Sequence, residues 1–148
     1  MLSAMRAFLS VGLLAACATA PSAAHPITRA EAEAVLREQA AQWNRGDLGA
    51  FVETYWDGDE LTFLGSGGLT RGRKDLLANY ERSYPTAKAR GELRFEILDF
   101  FPLGTDHALL LGSYDLLRAR PDHGWFSLVL ARRNGRIAIL HDHTSAAR

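Results

Sequence analysis

The chain has 148 residues, 47% of them hydrophobic, with 17 basic and 17 acidic side chains and a formal net charge of zero. That balance provides no electrostatic footprint for nucleic acid or an anionic surface, and the length suits one globular domain. A single cysteine excludes an internal disulfide, so the fold must rest on its core.

Met1 to Arg6 is a basic start, and Ala7 to Ala16 is a short apolar run. A membrane-spanning helix needs about 20 apolar residues, so this run reads as a secretory signal. The cysteine closes it in Leu14-Ala15-Ala16-Cys17, which resembles the bacterial lipobox, where cleavage precedes a cysteine that then carries lipid. The other reading is an ordinary signal cut after Ala20 or Ala24. The lipobox implies a signal over 1–16, a lipidated Cys17 with an alanine- and proline-rich tether over 17–27, and a folded domain over 28–145. With Ala18 in place of an aspartate after the cysteine, the expected location is the bacterial envelope, at the outer membrane facing the periplasm. Contact with a membrane is then expected through the lipid alone.

Thr28-Arg29-Ala30-Glu31 fits a capping box, and Val35, Leu36, Ala40 and Trp43 follow at helical spacing. Gly46 reads as the stop and Asp47 as a fresh N-cap. Leu48, Phe51, Val52 and Tyr55 then mark a second, short amphipathic helix. Leu61 to Leu64 reads as a strand ended by the turn Gly65-Ser66-Gly67-Gly68, and Arg71 to Tyr84 as a third helix stopped by Pro85. From Glu92 the period becomes strand-like: Leu93, Phe95 and Ile97 alternate, and Ala108 to Arg118 contains Gly112, an expected bend or bulge. Trp125 to Arg133 leads through the hairpin pair Asn134-Gly135 into a last strand, Arg136 to Ser145. Helices followed by a meander of four long strands predict an α+β domain with helices on one sheet face.

In that order, several residues carry a resemblance: Trp43-Asn44-Arg45-Gly46-Asp47-Leu48 into Phe51, Phe63, Gly67-Gly68, Arg71-Gly72, Tyr80, Tyr84-Pro85 and His141-Asp142-His143-Thr144-Ser145. Over Thr28 to Ser145 the chain resembles the SnoaL-like branch of the nuclear transport factor 2-like superfamily. Its ending is also similar to the association domain of calcium/calmodulin-dependent kinase II. The resemblance implies a cone formed by three N-terminal helices on a curved, mainly antiparallel sheet, with a pocket at the open end and a homodimer as the common assembly. The same cone serves isomerases, dehydratases, hydrolases, ligand sensors and assembly hubs, so function must be read from the pocket.

In a regular strand Ile137, Ile139, His141 and His143 share one face and Asp142 points to the other. The imidazoles, with an ordinary pKa of about 6.5, are the candidate proton carriers; the other reading is a satisfied structural pair. No third ligand joins them, and neither a metal nor a cofactor is expected. Trp56, Tyr80, Tyr114, His141 and His143 are the candidate ligand-binding residues. Tyr55 and Tyr84 are further candidate hydroxyl donors. Asp99 and Asp115 are the candidate strand carboxylates, although neither aligns with a catalytic acid of the family. Trp43 and Phe51 read as core. Arg71, Arg73 and Lys74 read as a solvated face that could alternatively meet a ligand carboxylate. The expected function is binding of a small organic molecule in the cone pocket. The alternatives are a cofactor-free isomerase, lyase or hydrolase using a pocket histidine, and a non-catalytic oligomerisation module.

Overall fold

The computed structural model describes residues 25–147. The signal sequence, Cys17 and most of the tether lie outside the described residues. The first helix, α1 (Arg29–Arg45), starts where the capping box predicts: the Thr28 hydroxyl accepts from the Glu31 amide, and the Glu31 carboxylate accepts from the Thr28 amide at 2.8 Å. It ends on Gly46, whose φ of 83° is the left-handed conformation that only glycine adopts without cost. Thr28→Ala is expected to lower stability by about 1 kcal/mol, read as a shifted urea midpoint with unchanged slope. Asp47 caps α2 (Leu48–Glu53) by accepting from the Ala50 amide at 2.8 Å.

Past α2 the chain touches the sheet before it joins it. Tyr55 forms a parallel bridge with Ile139, and the Trp56 amide donates to the Ile139 carbonyl at 2.8 Å. Strand β1 (Thr62–Gly65) then turns through Ser66-Gly67 into β2 (Gly68–Arg71). The glycine-rich stretch is therefore the turn of a hairpin, and β2 is a strand that the sequence pattern does not announce. Helix α3 (Gly72–Ser83) and a single turn, α4 (Ala87–Arg90), lead to the long strands β3 (Glu92–Leu103), β4 (His107–Leu117), β5 (Asp122–Arg133) and β6 (Arg136–Ala146).

The six strands form one curved, unclosed sheet in the order β2-β1-β6-β5-β4-β3, with β1 parallel to β6 and every other pair antiparallel. Helix α1 packs on β3 and β6. Leu36, Trp43, Phe51, Leu110, Leu130 and Ile139 join the buried core between helices and sheet. The β5–β6 turn has φ of 53° at Asn134 and 76° at Gly135, the pair of positive angles that the Asn-Gly dipeptide predicts.

Two bulges break the ladders. In β3 the register jumps between Ile97 and Asp99, directly opposite Gly112 of β4. The irregularity expected at Gly112 is thus on the partner strand. In β6, Val129 pairs with His141 while Leu130 pairs with Ile139, so Leu140 is the extra residue.

Candidate functional site

A strand's side chains alternate, so one extra residue exchanges the faces of everything beyond it. Ile139 points into the core and is fully buried. After the unpaired Leu140, Asp142 and Thr144 take the inward positions, and His143 is exposed. The expectation that His141 and His143 continue the face of Ile137 and Ile139 is therefore corrected: neither histidine lines the cavity. His141 instead meets Thr62 across the β1–β6 pairing, Nδ1 to Oγ1 at 2.7 Å. The histidines and Asp142 do lie on opposite faces, as a strand requires, but the carboxylate is the group that faces inward.

The cavity has a volume of about 120 Å³ and a mainly aromatic wall that includes Trp43, Phe51, Phe63, Tyr80, Phe95 and Phe126. Trp43 and Phe51, expected as core, are both core and wall: their rings meet edge-on at 5.2 Å, and Phe51 meets Tyr80 at 4.9 Å. Tyr80, Tyr84, Tyr114, Phe63 and Thr144 also line a wider, more polar vestibule of about 380 Å³. Tyr80 and Tyr114, two of the candidate ligand-binding residues, lie at the join of cavity and vestibule. Tyr84 occupies the same join.

Trp56 goes elsewhere. It lines a separate groove with Arg73, Arg133 and Arg136, and the Arg133 guanidinium lies 5.3 Å from its ring centroid. The direct reason is the bridge at Tyr55, which fixes Tyr55 inward and leaves the next residue to turn away. Asp99 and Asp115 are both exposed; Asp115 pairs with the His123 ring at 2.8 Å. Arg71 and Lys74 are exposed, whereas Arg73 is inserted against the end of α2, its Nε donating to the Tyr55 carbonyl at 2.9 Å.

Three of the polar groups at the cavity form one network. The Tyr55 hydroxyl donates to Asp142 Oδ2 at 2.8 Å, and the Thr144 hydroxyl donates to Asp142 Oδ1 at 2.6 Å. Burial pushes the Asp142 carboxyl up from the ordinary 3.8 to about 6, against the opposing pull of the Thr144 and Tyr55 hydrogen bonds. Burial and the neighbouring Asp142 charge drive Tyr55 and Tyr80 well above the usual phenol range, and burial pushes Tyr114 up to about 12. All three tyrosines therefore remain hydroxyl donors across the working pH range. Gln39, also on the wall, donates to Thr54 at 3.0 Å.

Tyr55→Phe removes the donor from Oδ2 while preserving the ring. The expected result is a loss of about 1–3 kcal/mol at pH 8, where the carboxylate is charged, and a smaller loss near pH 4.5, where it is protonated. Chemical denaturation at the two pH values measures the difference; equal losses would assign the effect to ring packing instead.

A curved sheet over helices, enclosing an aromatic cavity with a buried carboxylate and tyrosines, defines a cone-shaped α+β pocket domain. An NTF-2 like protein of unknown function from Shewanella oneidensis MR-1 has the same fold at 33% identity, over 77% of this chain and 95% of that one, with a TM-score of 0.74. The chain belongs to the nuclear transport factor 2-like superfamily. A ketosteroid isomerase-like protein from Erwinia carotovora atroseptica shares the fold at 19% identity, over 78% of this chain and 93% of that one, with a TM-score of 0.66. So does a putative calcium/calmodulin dependent protein kinase II association domain from Xanthomonas campestris, at 18% identity over 84% and 93% of the two chains, with a TM-score of 0.63. No protein-family model and no curated protein matches the chain.

Proposed function

We propose that the domain binds a small, mainly apolar organic molecule that carries an oxygen function, and that Asp142 transfers a proton on it. The observation that carries this reading is the buried Tyr55–Asp142–Thr144 network in an otherwise aromatic cavity. A carboxyl near pH 6 is present in both protonation states around neutrality, which suits a proton carrier. Tyr80 supplies a hydroxyl to the ligand oxygen, and proton removal from an adjacent carbon leaves charge that this hydroxyl stabilises. The cavity volume of about 120 Å³ admits a compact group, with any larger polar portion extending into the vestibule. The likeness to a ketosteroid isomerase-like protein is compatible with such chemistry. It supports the expected isomerase or lyase alternative with a changed proton carrier, the carboxylate in place of a histidine.

The test is a thermal-shift screen of small ketones, enones and phenols, followed by solvent-deuterium exchange into the ketone hits by proton NMR. Wild type and His141→Ala/His143→Ala are expected to respond alike, and Asp142→Asn is expected to lose exchange. Exchange that survives in Asp142→Asn refutes the assignment; dependence on the histidines would make an imidazole the proton carrier.

A second reading concerns assembly. Phe101, Leu103, Leu117 and Trp125 are 41–49% exposed, and association-domain-like proteins are among the structural relatives. We propose a homodimer through the long strands with Trp125 at the contact, checked by light scattering of wild type against Trp125→Glu. A lipidated location in the envelope is likewise a proposal. Cys17→Ala that still sediments with membranes would refute it.

A further inference from the structure

On the side of the domain where the β5–β6 hairpin meets the end of α2, three guanidiniums from separate elements converge on a groove of about 340 Å³. Arg73 comes from α3, Arg133 from the end of β5 and Arg136 from the start of β6. Two of them are held by backbone. Arg73 donates to the Tyr55 and Glu53 carbonyls, and Arg136 donates to the Glu53 carbonyl. The third, Arg133, lies over Trp56 with its Cζ 5.3 Å from the ring centroid, and its guanidinium makes no hydrogen bond among the described residues.

The charge in this groove is unbalanced. Asp57 is the carboxylate on its wall, 83% exposed and 3.7 Å from Arg73. Glu53, which also acts on Arg73, lines a neighbouring groove instead. Three cations against Asp57 on the wall and Glu53 beyond it leave the groove net positive. Arg136 lies near enough to Arg73 to oppose its charge. Capping of the α2 carbonyls accounts for Arg73 and for one nitrogen of Arg136. It does not account for Arg133, which makes no hydrogen bond among the described residues, nor for the remaining nitrogens of Arg136.

We infer that this groove binds a phosphate group, as a free anion or ester or as a lipid headgroup. Guanidiniums from two strands around one groove offer more N–H donors than a planar carboxylate can use, since one fork satisfies it, and so suit a tetrahedral dianion better. The prior hydrogen bonds to carbonyls hold Arg73 and Arg136 before the anion arrives, so part of the side-chain ordering is already made. The site is separate from the Asp142 cavity and does not depend on its assignment.

Isothermal titration calorimetry of the purified full chain with inorganic phosphate at low ionic strength tests the site. Saturable binding is expected. It should weaken at least roughly tenfold in Arg133→Ala/Arg136→Ala, and less in Arg133→Lys/Arg136→Lys, which keeps charge without the planar fork. Arg37→Ala, on the exposed face of α1, should leave it unchanged. No saturable heat, equal affinity in the alanine pair, or equal weakening by Arg37→Ala overturns the inference. Co-sedimentation with phosphatidylglycerol vesicles separates the two sources. Binding that free phosphate competes away and the alanine pair loses assigns the headgroup, whereas binding of free phosphate alone assigns a soluble ligand. Vesicle binding unaffected by the alanine pair counts against a phosphate site here.

Discussion

Asp142→Asn is expected to slow proton transfer severely and, at the same time, to stabilise the folded protein above neutrality. The two effects share one cause. The carboxyl titrates near 6 in the fold and near 3.8 when unfolded, so the folded state binds more protons between those values. Stability therefore falls as pH rises through that window, and the penalty is complete above about pH 6. A shift of about two pKa units corresponds to roughly 3 kcal/mol at most. An asparagine carries no charge to bury, and its amide oxygen can still accept from the Tyr55 hydroxyl. The expected result is a melting temperature several degrees above wild type at pH 8 that converges on wild type near pH 4. A variant less stable than wild type by the same margin at both pH values would show that the carboxylate is favourably buried, against the raised pKa. The expected loss in rate is on the order of 10³, the usual scale for removing a general base.

Gly112→Ala is expected to be strongly damaging for so small a substitution. A Cβ there would lie 2.3 Å from the Phe126 ring and 2.6 Å from the Glu96 carbonyl oxygen. The ring can tilt, but the carbonyl belongs to β3, which is paired with β4 along most of its length. Phe126 also packs edge-on against Phe95 at 5.4 Å, and both rings face the cavity. Relief of the clash must therefore move a cavity wall. A loss of about 3 kcal/mol is expected in urea denaturation, together with weakened ligand response in the thermal-shift screen. Gly67→Ala is the matched control, since a Cβ there meets nothing within 4 Å; its change should stay within about 0.5 kcal/mol. Similar losses at the two positions would overturn the steric account, since the entropic effect of Gly→Ala favours the folded state.

Much of the architecture was legible because local chemistry specifies it. Thr28 and Glu31 mark the start of α1, Gly46 and Asp47 separate the first two helices, and Asn134-Gly135 forces the last hairpin. Strand β2 was not legible. It is a largely exposed edge strand whose Gly-Leu-Thr-Arg sequence has no buried face to impose a period on it. The cavity was half legible. Tyr80 could be placed from its helix, but the inward residue of β6 could not. Which side of a strand faces in is a property of its pairing with β5, and the pairing contains a bulge. One local sign was available: Ile137-Ala138-Ile139-Leu140 is a run of four apolar residues that does not alternate. A period-2 reading carried through such a run has no warrant beyond it. Trp56 was misplaced for a similar reason, since the bridge from Tyr55 to Ile139 is a tertiary contact.

The extra residue at Leu140 gives the last strand two possible linings within one sequence. With the unpaired position where it is, the cone receives a carboxylate and a hydroxyl, Asp142 and Thr144. Were the ladder regular from Ile139 onward, the same residues would deliver two imidazoles instead. A shift of one unpaired residue along β6 thus exchanges the reagent set of the pocket without any change of side chain in it. For protein engineering, the position of that unpaired residue becomes a variable as consequential as the identity of the lining residues.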